Sequence, residues 1–410
     1  QTGERDDADL ILFNTCTIRG SADDRFLGNL GDAKRLKRER PDVVVAVGGC
    51  WAQSQKEQIF EQFPFVDVAF GPSELTRLGE LVARERIEAV GAFSLDGAFS
   101  SDLPARRERP HQAWVQISTG CNCVCTYCIV PSVRGRERSR PAADVVGEVR
   151  RVAADGVREV TLLGQNVNSY GRDLPREERA TFAELLREVA AVEGVARVRY
   201  TSPHPKDMRE DVVAAMAECP EVCAHLHLPA QSGSTRILKA MRRTYSRERY
   251  LDLVTRLRAA MPDLSLTTDL IVGFPGETDE DFEDTMSLVE EADYDGAYTF
   301  LYSPRPGTEA AETLDDDVPA EVKRERIGRL VDLVQATGRA RAERFVGREA
   351  EVLVEGPSRT DPDLLRGRLE HNITVNFEGA AEPGSLVAVT IDSATSTTLR
   401  GRQSKVAALA

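Results

Sequence analysis

The sequence contains no long hydrophobic run and few cysteines. None of its apolar stretches approaches the roughly 20 residues that a membrane-spanning helix needs, which argues against a membrane protein. No signal-peptide pattern opens the chain, so export is not expected. Only 8 cysteines are spread over 410 residues, which is too few for a disulfide scaffold. Clustered free thiols imply a reducing compartment, and together these absences predict a cytoplasmic protein.

The chain is also short of positive charge. It carries 53 Lys and Arg against 67 Asp and Glu, a net charge of −14. This balance argues against a protein that coats nucleic acid through a general positive field. One exception is the run Arg134-Gly-Arg-Glu-Arg-Ser-Arg140, which has four arginines in seven residues. The run is interpreted either as a solvated charged loop or as a surface that meets a phosphate-bearing partner.

A group of cysteines lies in one short segment. Cys121, Cys125 and Cys128 have the spacing C-x3-C-x2-C. Three thiolates on one loop suit three corners of a cubane iron–sulfur cluster, because thiolate is the ligand that such iron prefers. A structural zinc site is the alternative, although zinc favours four closed ligands and the run supplies no fourth. Cys123, between two of these cysteines, is interpreted as a bystander.

The order of apolar runs predicts an α/β protein. Buried-strand patterns at 8–14, 43–48 and 66–70, with helices near 21–40 and 73–86, indicate a small amino-terminal α/β domain. From residue 113 onward, six strand patterns alternate with helical ones, which predicts parallel strands with helices outside, an open or partial barrel. These strands are expected at 113–118, 158–164, 196–202, 224–228, 264–272 and 297–302, with helices that include 142–154, 181–192, 246–260 and 278–291.

The end of the chain has a different pattern. A helix around 318–345 leads into alternating apolar and polar segments, which predict a small antiparallel β-barrel. Its strands are expected at 349–355, 364–376, 385–391 and 397–400. With a proline-containing linker at 101–110, the predicted domains are 1–100, 107–340 and 341–408.

Further motifs follow the cysteine segment in order along the whole chain. They are Leu163-Gly-Gln-Asn-Val-Asn-Ser-Tyr-Gly171, Thr201-Ser-Pro-His-Pro205, His227-Leu-Pro-Ala-Gln-Ser-Gly-Ser234, Met241-Arg-Arg, Asp269-Leu-Ile-Val-Gly-Phe-Pro-Gly-Glu277 and Tyr302-Ser-Pro-Arg-Pro-Gly-Thr308. Together with the cysteine segment and the arginine run, they resemble the methylthiotransferases of the radical S-adenosylmethionine (SAM) superfamily. The nearest branch is the one that acts on tRNA beside the anticodon.

The resemblance implies both a fold and an activity. The fold is a small amino-terminal α/β domain, a central partial (β/α)6 radical SAM barrel and a carboxy-terminal TRAM-like, RNA-binding β-barrel. The activity is insertion of a methylthio group at C2 of N6-dimethylallyladenosine. Two enzyme alternatives share this fold, one acting on threonylcarbamoyl-adenosine of tRNA and one on a ribosomal-protein aspartate. A non-catalytic RNA-binding protein with a structural metal is a more remote alternative.

The implied cofactors are SAM and two 4Fe-4S clusters. Cys121, Cys125 and Cys128 would hold the first cluster and leave one iron open for SAM. Cys16 and Cys50 would be two of three ligands of an auxiliary cluster that carries the sulfur. The third ligand is expected to precede the first residue, as in an amino-terminally truncated chain. Two buried structural cysteines are the alternative for this pair.

The resemblance also implies side-chain contacts to SAM. Tyr127 is expected against the adenine, and the amino group and ribose are expected to meet Gln165, Asn166, Gln231, Ser232 and Ser234. The expected partners are a tRNA anticodon loop, an electron donor such as flavodoxin and a sulfur source, and the protein is expected to be a monomer.

Other polar residues receive weaker assignments from the sequence. The histidines at 204, 225 and 227 are expected to have structural or hydrogen-bonding roles rather than to bind metal. In the tail, Phe377, Arg366, Arg368, Arg400 and Arg402 are candidates for stacking and phosphate contacts, but the balanced charge of this segment weakens that case and no individual tRNA-contacting residue is named.

Overall fold

The computed structural model describes residues 2, 5–16, 20–84, 89–97, 99 and 107–404, with side chains omitted at 5, 20–24 and 84. It divides into a first unit, Gln1–Ala105, Thr119–Glu137 and Arg305–Thr308, and a second unit, Arg106–Ser118, Arg138–Pro304 and Glu309–Ala410. Residues 101–106 of the predicted linker and the last residues of the predicted domain 341–408 lie outside the described ranges. Among the helices described, none has the length and apolar character to cross a bilayer.

The first unit contains a four-stranded parallel sheet in the order β1-β2-β3-β4. Its strands are β1 (Leu10–Thr15), β2 (Val44–Gly49), β3 (Val68–Phe70) and β4 (Val90–Ala92). Its helices are α1 (Gly20–Glu39), α2 (Cys50–Gln55), α3 (Gln58–Gln62), α4 (Leu78–Arg84) and α5 (Val130–Arg134), with 3-10 turns at Arg5–Asp7 and Pro72–Arg77.

Apolar residues cover both faces of this sheet. Val45 and Val47 of β2 pack with Leu30 of α1 on one face. Ala46, between them, faces the other way and packs with Leu81 of α4. Burial on both sides explains why these strands are continuous apolar runs, as is usual for parallel sheets.

The predicted strands of the first unit are present, with two differences in detail. Strand β4 was not predicted, because it has only three residues and a glycine at its centre. The helix predicted at 73–86 begins as a 3-10 turn, Pro72–Arg77, and becomes α-helical only at Leu78. Residues 85 and 86 of that predicted helix are not among those described.

The second unit contains the six parallel strands that the sequence predicted. They form two three-stranded sheets, β5-β8-β9 and β10-β11-β12, and an isolated bridge between Val198 and Val222 lies between them. The strands of this region are β5 (Gln112–Gln116), β6 (Ser118–Thr119), β7 (Arg138–Ser139), β8 (Glu159–Leu163), β9 (Arg197–Tyr200), β10 (His225–His227), β11 (Ser265–Val272) and β12 (Gly296–Leu301).

Helices cover one face of these strands. They are α6 (Ala142–Ala154), α7 (Phe182–Ala190), α8 (Glu210–Glu218), α9 (Thr235–Ala240), α10 (Arg247–Ala260), α11 (Asp279–Ala292), α12 (Glu309–Thr313) and α13 (Ala320–Glu343). Alternate strand residues, such as Val115 and Leu162, join the helices in one large apolar core. The intervening residues face the interior of the partial barrel.

The carboxy-terminal part of this unit is a closed five-stranded barrel in the order β13-β14-β15-β17-β16. Its strands are β13 (Glu349–Pro357), β14 (Leu365–Leu369), β15 (Thr374–Glu378), β16 (Leu386–Ala394) and β17 (Thr398–Gln403). The strand predicted at 364–376 is two strands, which turn at Asn372 with φ 63°. The barrel is not wholly antiparallel, because β15 and β17 pair in parallel to close it.

Two assignments in this barrel are corrected. Phe377 is fully buried in the barrel core, so its ring cannot stack on a base. Arg366 and Arg368 both pair with the buried carboxylate of Glu355, at 3.2 and 3.0 Å, so neither is a free cation for phosphate. Hydrophobic alternation alone could not separate an inward-facing ring from an outward-facing one in a strand this short.

Buried arginines of β9 fix the small barrel to the central strands. Arg199 Nε donates to Glu159 Oε2 at 2.9 Å, and its two terminal nitrogens donate to the carbonyls of Glu370 and Leu369 at 2.7 and 2.8 Å. Arg197 donates to the Arg368 carbonyl at 2.6 Å. Because Glu159 and Arg197 begin their strands, the small barrel lies at the amino-terminal ends of the central strands, which leaves their carboxyl ends open.

Replacing Arg199 should therefore destabilise the fold. Arg199→Met leaves the buried Glu159 carboxylate without its cation and two carbonyls without donors, so we expect a loss of about 3 kcal/mol in the free energy of unfolding. Arg187→Met is the control, because its ion pair with Glu218 is exposed and should contribute under about 1 kcal/mol. Urea denaturation of the full chain measures both variants, and equal losses would contradict the expectation.

Candidate functional site

The cysteine loop lies in the first unit, between β6 and α5. Gly120 precedes it with φ +76°, and a Cβ there would lie 2.0 Å from the Arg136 carbonyl oxygen, so only glycine fits. The Cys121 N–H donates to the Gly135 carbonyl at 3.1 Å, and the Cys128 N–H donates to the Cys125 carbonyl at 3.0 Å. These bonds turn the loop between the cysteines, as three ligands of one cluster require.

The first thiol of this loop is biased toward its thiolate form. The Cys123 backbone N–H donates to Cys121 Sγ at 3.4 Å. A hydrogen bond from the Cys123 side chain, and to a lesser extent the one from its backbone N–H, lowers the pKa of Cys121, against burial and against the neighbouring thiols of Cys128 and Cys125, which raise it. Cys123 thus acts by hydrogen bonding to Cys121 rather than as an added ligand. Cys121, Cys125 and Cys128 are all half-buried.

These residues fit an iron–sulfur cluster by their donor chemistry. Within the described ranges, no group of three or more His, Cys, Asp or Glu side chains is gathered closely enough to hold a single metal ion. A cubane makes a different demand, because each thiolate binds its own iron and the sulfurs stand further apart. Three half-buried thiols whose charges act on one another, one of them with a lowered pKa, suit that demand.

The second pair of predicted ligands meets at one edge of the amino-terminal sheet. Thr15 and Gly49 are partners in the parallel register of β1 and β2, and Cys16 and Cys50 are the residues that follow them. Cys16 is exposed and Cys50 is buried. Burial raises the pKa of Cys50, the Arg134 guanidinium opposes that shift, and a charge on Cys16 adds to it. The described residues supply two thiols here.

Arg134 connects the two cysteine groups. Its Nε donates to Cys50 Sγ at 3.1 Å, and Cys50 packs against Ile129 and Val133 beside it. Helix α5, which carries Arg134, begins two residues after Cys128. The sequence left Arg134 either in a solvated charged loop or at a phosphate-bearing partner, and no local signal in the sequence could have indicated a contact to a thiol 84 residues away.

The rest of the arginine run is not a single exposed surface. Arg140 is buried, pairs with Glu148 at 2.7 Å and donates to the Gln116 carbonyl at 2.6 Å. Arg136 is exposed. Arg140 therefore does not belong to a solvated or phosphate-binding loop. The run of seven residues passes through the short strand β7, and side chains that alternate along a strand cannot all point outward.

Two acceptors at the carboxyl ends of neighbouring strands have no hydrogen-bond partner in the described structure. They are Gln165 Oε1, after β8, and Ser118 Oγ, after β5. A Cβ on Gly164 would lie 2.5 Å from Ser118 Oγ, so the two loops approach closely there. Buried acceptors without donors are unfavourable. They fit a ligand that brings donors, such as the amino group of SAM.

The other predicted SAM contacts already have partners within the protein. Asn166 Nδ2 donates to the buried Asp207 carboxylate at 2.8 Å. Ser234 caps α9 and donates to Asp281 at 2.6 Å, and Ser232 Oγ accepts the Ser234 N–H at 3.1 Å. Gln231 is buried with φ +70°. These bonds hold the loop after β10, and a role in SAM binding for these residues stays a prediction, as it does for the half-buried Tyr127.

The histidines are held by hydrogen bonds. His204 Nδ1 accepts the Lys206 N–H at 3.2 Å, and burial, assisted by Arg243, lowers the pKa of His204 to about 2, so its ring is neutral. His227 Nδ1 lies 3.0 Å from Thr267 Oγ1. These contacts agree with the hydrogen-bonding roles expected from the sequence.

Three family models match the chain. The radical SAM superfamily matches residues 115–289, the TRAM domain matches residues 343–403, and an uncharacterized protein family, UPF0004, matches residues 1–71. The radical SAM match contains the cysteine loop and the strands from β8 to β11.

Curated relatives are similar over nearly the whole chain. The tRNA-2-methylthio-N(6)-dimethylallyladenosine synthase of Acidothermus cellulolyticus is 49% identical over 94% of this chain and 79% of its own. The protein of the same name from Carboxydothermus hydrogenoformans is 48% identical over 95% of this chain and 89% of its own. Among solved structures, the radical SAM methyltransferase TsrM of Kitasatospora setae has TM-score 0.58 at 17% identity, over 74% of this chain and 64% of that one, which shows a shared fold.

In the iron-free protein, alkylation of the Cys121 thiol and alkylation of the Cys219 thiol should depend differently on pH. Cys121 has a lowered pKa, whereas burial raises the pKa of the similarly half-buried Cys219. Since iodoacetamide reacts with thiolate, Cys121 should reach half-maximal alkylation at a lower pH than Cys219. Mass spectrometry of the labelled peptides across a pH series measures this order. Labelling of Cys219 before Cys121 as the pH rises would contradict it.

Proposed function

Because the chain belongs to the tRNA-2-methylthio-N(6)-dimethylallyladenosine synthase family of radical SAM enzymes, we propose that it inserts a methylthio group at C2 of N6-dimethylallyladenosine in tRNA. Family membership confirms the resemblance drawn from the sequence, the α/β fold class, the enzyme class and the cofactors, 4Fe-4S clusters and SAM. The product is 2-methylthio-N6-dimethylallyladenosine, next to the anticodon.

The observation that carries this proposal is the pair of cysteine groups in one unit. Cys121, Cys125 and Cys128 would hold the cluster that binds SAM, and Cys16 and Cys50 would be ligands of the auxiliary cluster. When bound, the clusters and SAM provide the radical chemistry and the sulfur. The Arg134 hydrogen bond to Cys50 holds one thiol of the second group against α5, and Gln165 stays a proposed contact of the amino group of SAM.

Partners and domain roles follow from the same proposal. The tRNA anticodon loop is the substrate, and the carboxy-terminal barrel would bind tRNA away from the reacting base. A flavodoxin-like electron donor, a separate sulfur source, a monomeric state and a cytoplasmic location are proposed with it. The proposed domains remain 1–100, 107–340 and 341–408.

Substitution of the two cysteine groups should separate two activities. A Cys121, Cys125 and Cys128 triple alanine variant should release no 5′-deoxyadenosine from SAM and form no methylthio product. A Cys16→Ala/Cys50→Ala variant should still release 5′-deoxyadenosine but form no methylthio product, because only its sulfur-carrying site is altered. Anaerobic reconstitution followed by RNA mass spectrometry measures both outcomes.

The matched control is Cys219→Ala, which removes a half-buried thiol outside both groups and should retain both activities. Product on threonylcarbamoyl-adenosine or on a ribosomal protein, with unmodified dimethylallyladenosine, would favour an alternative enzyme function. A protein that takes up zinc, lacks iron–sulfur absorption and leaves SAM intact would be a non-catalytic binder.

A further inference from the structure

The interior face of the central barrel carries two exposed aromatic side chains. Trp114 on β5 is 67% exposed and Tyr298 on β12 is 59% exposed. Layers of side chains fill the interior of a closed (β/α)8 barrel. Here the described strands β5 and β12 pair with β8 and β11 but not with each other, so the barrel is open between them.

Trp114 faces this interior because its neighbours face the helices. Ala113 and Val115 are buried in the large apolar core with Val149 of α6. Side chains alternate along a strand, so Trp114 points to the opposite side. Its partner in the parallel register is Thr161 of β8, which alternates in the same way with Val160 and Leu162. Strand β5 is also the strand that leads along the chain into the cysteine loop.

Tyr298 faces the same interior by its own contacts. It pairs in register with Asp269 of β11, whereas the neighbouring Ala297 packs against the helix-side core. Its ring centroid lies 5.8 Å from that of His227, at 67°. His227 Nε2 in turn lies 3.4 Å from Asp269 Oδ1. The interior therefore combines exposed aromatic faces with hydrogen-bonding groups.

A large exposed aromatic surface inside a barrel is unfavourable unless a ligand covers it. Neither ring belongs to the large apolar core of this unit, which lies on the other side of the strands. A nucleobase matches both features of the interior. Its flat face stacks on aromatic rings, and its edge bonds to polar groups. A base on which chemistry occurs must leave its stack in the RNA, which costs stacking energy. A new stacking surface in the protein offsets part of that cost.

We propose that Trp114 and Tyr298 form the stacking surface for the substrate base, the N6-substituted adenine extruded from the tRNA loop. This assignment rests on the proposed function and adds the residues that receive its substrate. The polar groups of His227 and Asp269 lie beside Tyr298 and face the edge of the bound base. The adenine of SAM is the competing occupant, and the test distinguishes the two.

The chain has only two tryptophans, which makes the contact directly observable. Trp51 is buried in the first unit against Phe26, so Trp51→Phe leaves Trp114 as the only indole of the full chain. The probe is an anticodon stem-loop RNA hairpin that carries N6-dimethylallyladenosine. Stacking of its base on Trp114 should quench the indole fluorescence, and SAM added alone should not.

Affinity for the same hairpin provides the second measurement. Trp114→Ala and Tyr298→Ala should each weaken binding by about 5- to 150-fold, the range for loss of one base–aromatic stack. Trp114→Phe keeps a ring and should retain most of the affinity. Leu27→Ala, which removes a 40% exposed apolar side chain from α1, is the matched control and should bind normally. Circular dichroism verifies the folding of each variant.

Three outcomes would overturn the assignment. They are quenching by SAM alone, absence of quenching by the hairpin, and alanine variants that bind the hairpin as tightly as the parent chain. Failure of the proposed function is distinguishable, because it would appear as absence of methylthio product from the parent enzyme. A parent enzyme that makes product while Trp114→Ala binds and reacts normally would reject only the stacking surface.

Discussion

The direction of the parallel strands is the constraint on which the functional arrangement depends. Strands that run the same way deliver their following loops to one edge, and the residues with reactive chemistry come directly after strand ends. In the first unit Cys16 and Cys50 follow register partners of β1 and β2, and within the sheets of the second unit Gln165 lies in the loop after β8. In either sheet, a reversed strand would send its loop and the side chains of that loop to the opposite edge.

Buried charge has a second organising role. Arginines in β9 replace the apolar residues that a barrel interior usually holds, and they donate to backbone carbonyls of the carboxy-terminal barrel. Guanidinium groups suit this position because they are weakly hydrated and carry several donors. Here they donate to the carbonyls of Arg368, Leu369 and Glu370. It fixes the small barrel at the amino-terminal ends of the strands. The carboxyl ends, where α/β barrels carry their chemistry, are left for the loops.

The cysteine loop and the order of strands were predictable because both depend on local sequence. The C-x3-C-x2-C spacing, which spans eight residues, indicates the ligand chemistry by itself. Alternation of apolar runs with helical patterns identified all six central strands. Errors occurred where neighbours distant in sequence decide the outcome. Phe377 was a candidate for stacking on RNA but is buried by the other strands of its barrel, and Arg140 was placed on a charged loop but pairs with Glu148 inside the fold.

The sequence by itself determined the ligand types, their spacing and the family, because these depend on residue identity and order. Tertiary structure alone decided which cysteine meets Arg134, which acceptors are buried without donors, and which aromatic rings face the barrel interior. A strand pattern shows that alternate residues share a face, but it does not show which face the helices cover. Only the folded chain, in which burial of Ala113 and Val115 turns Trp114 inward, settles that choice.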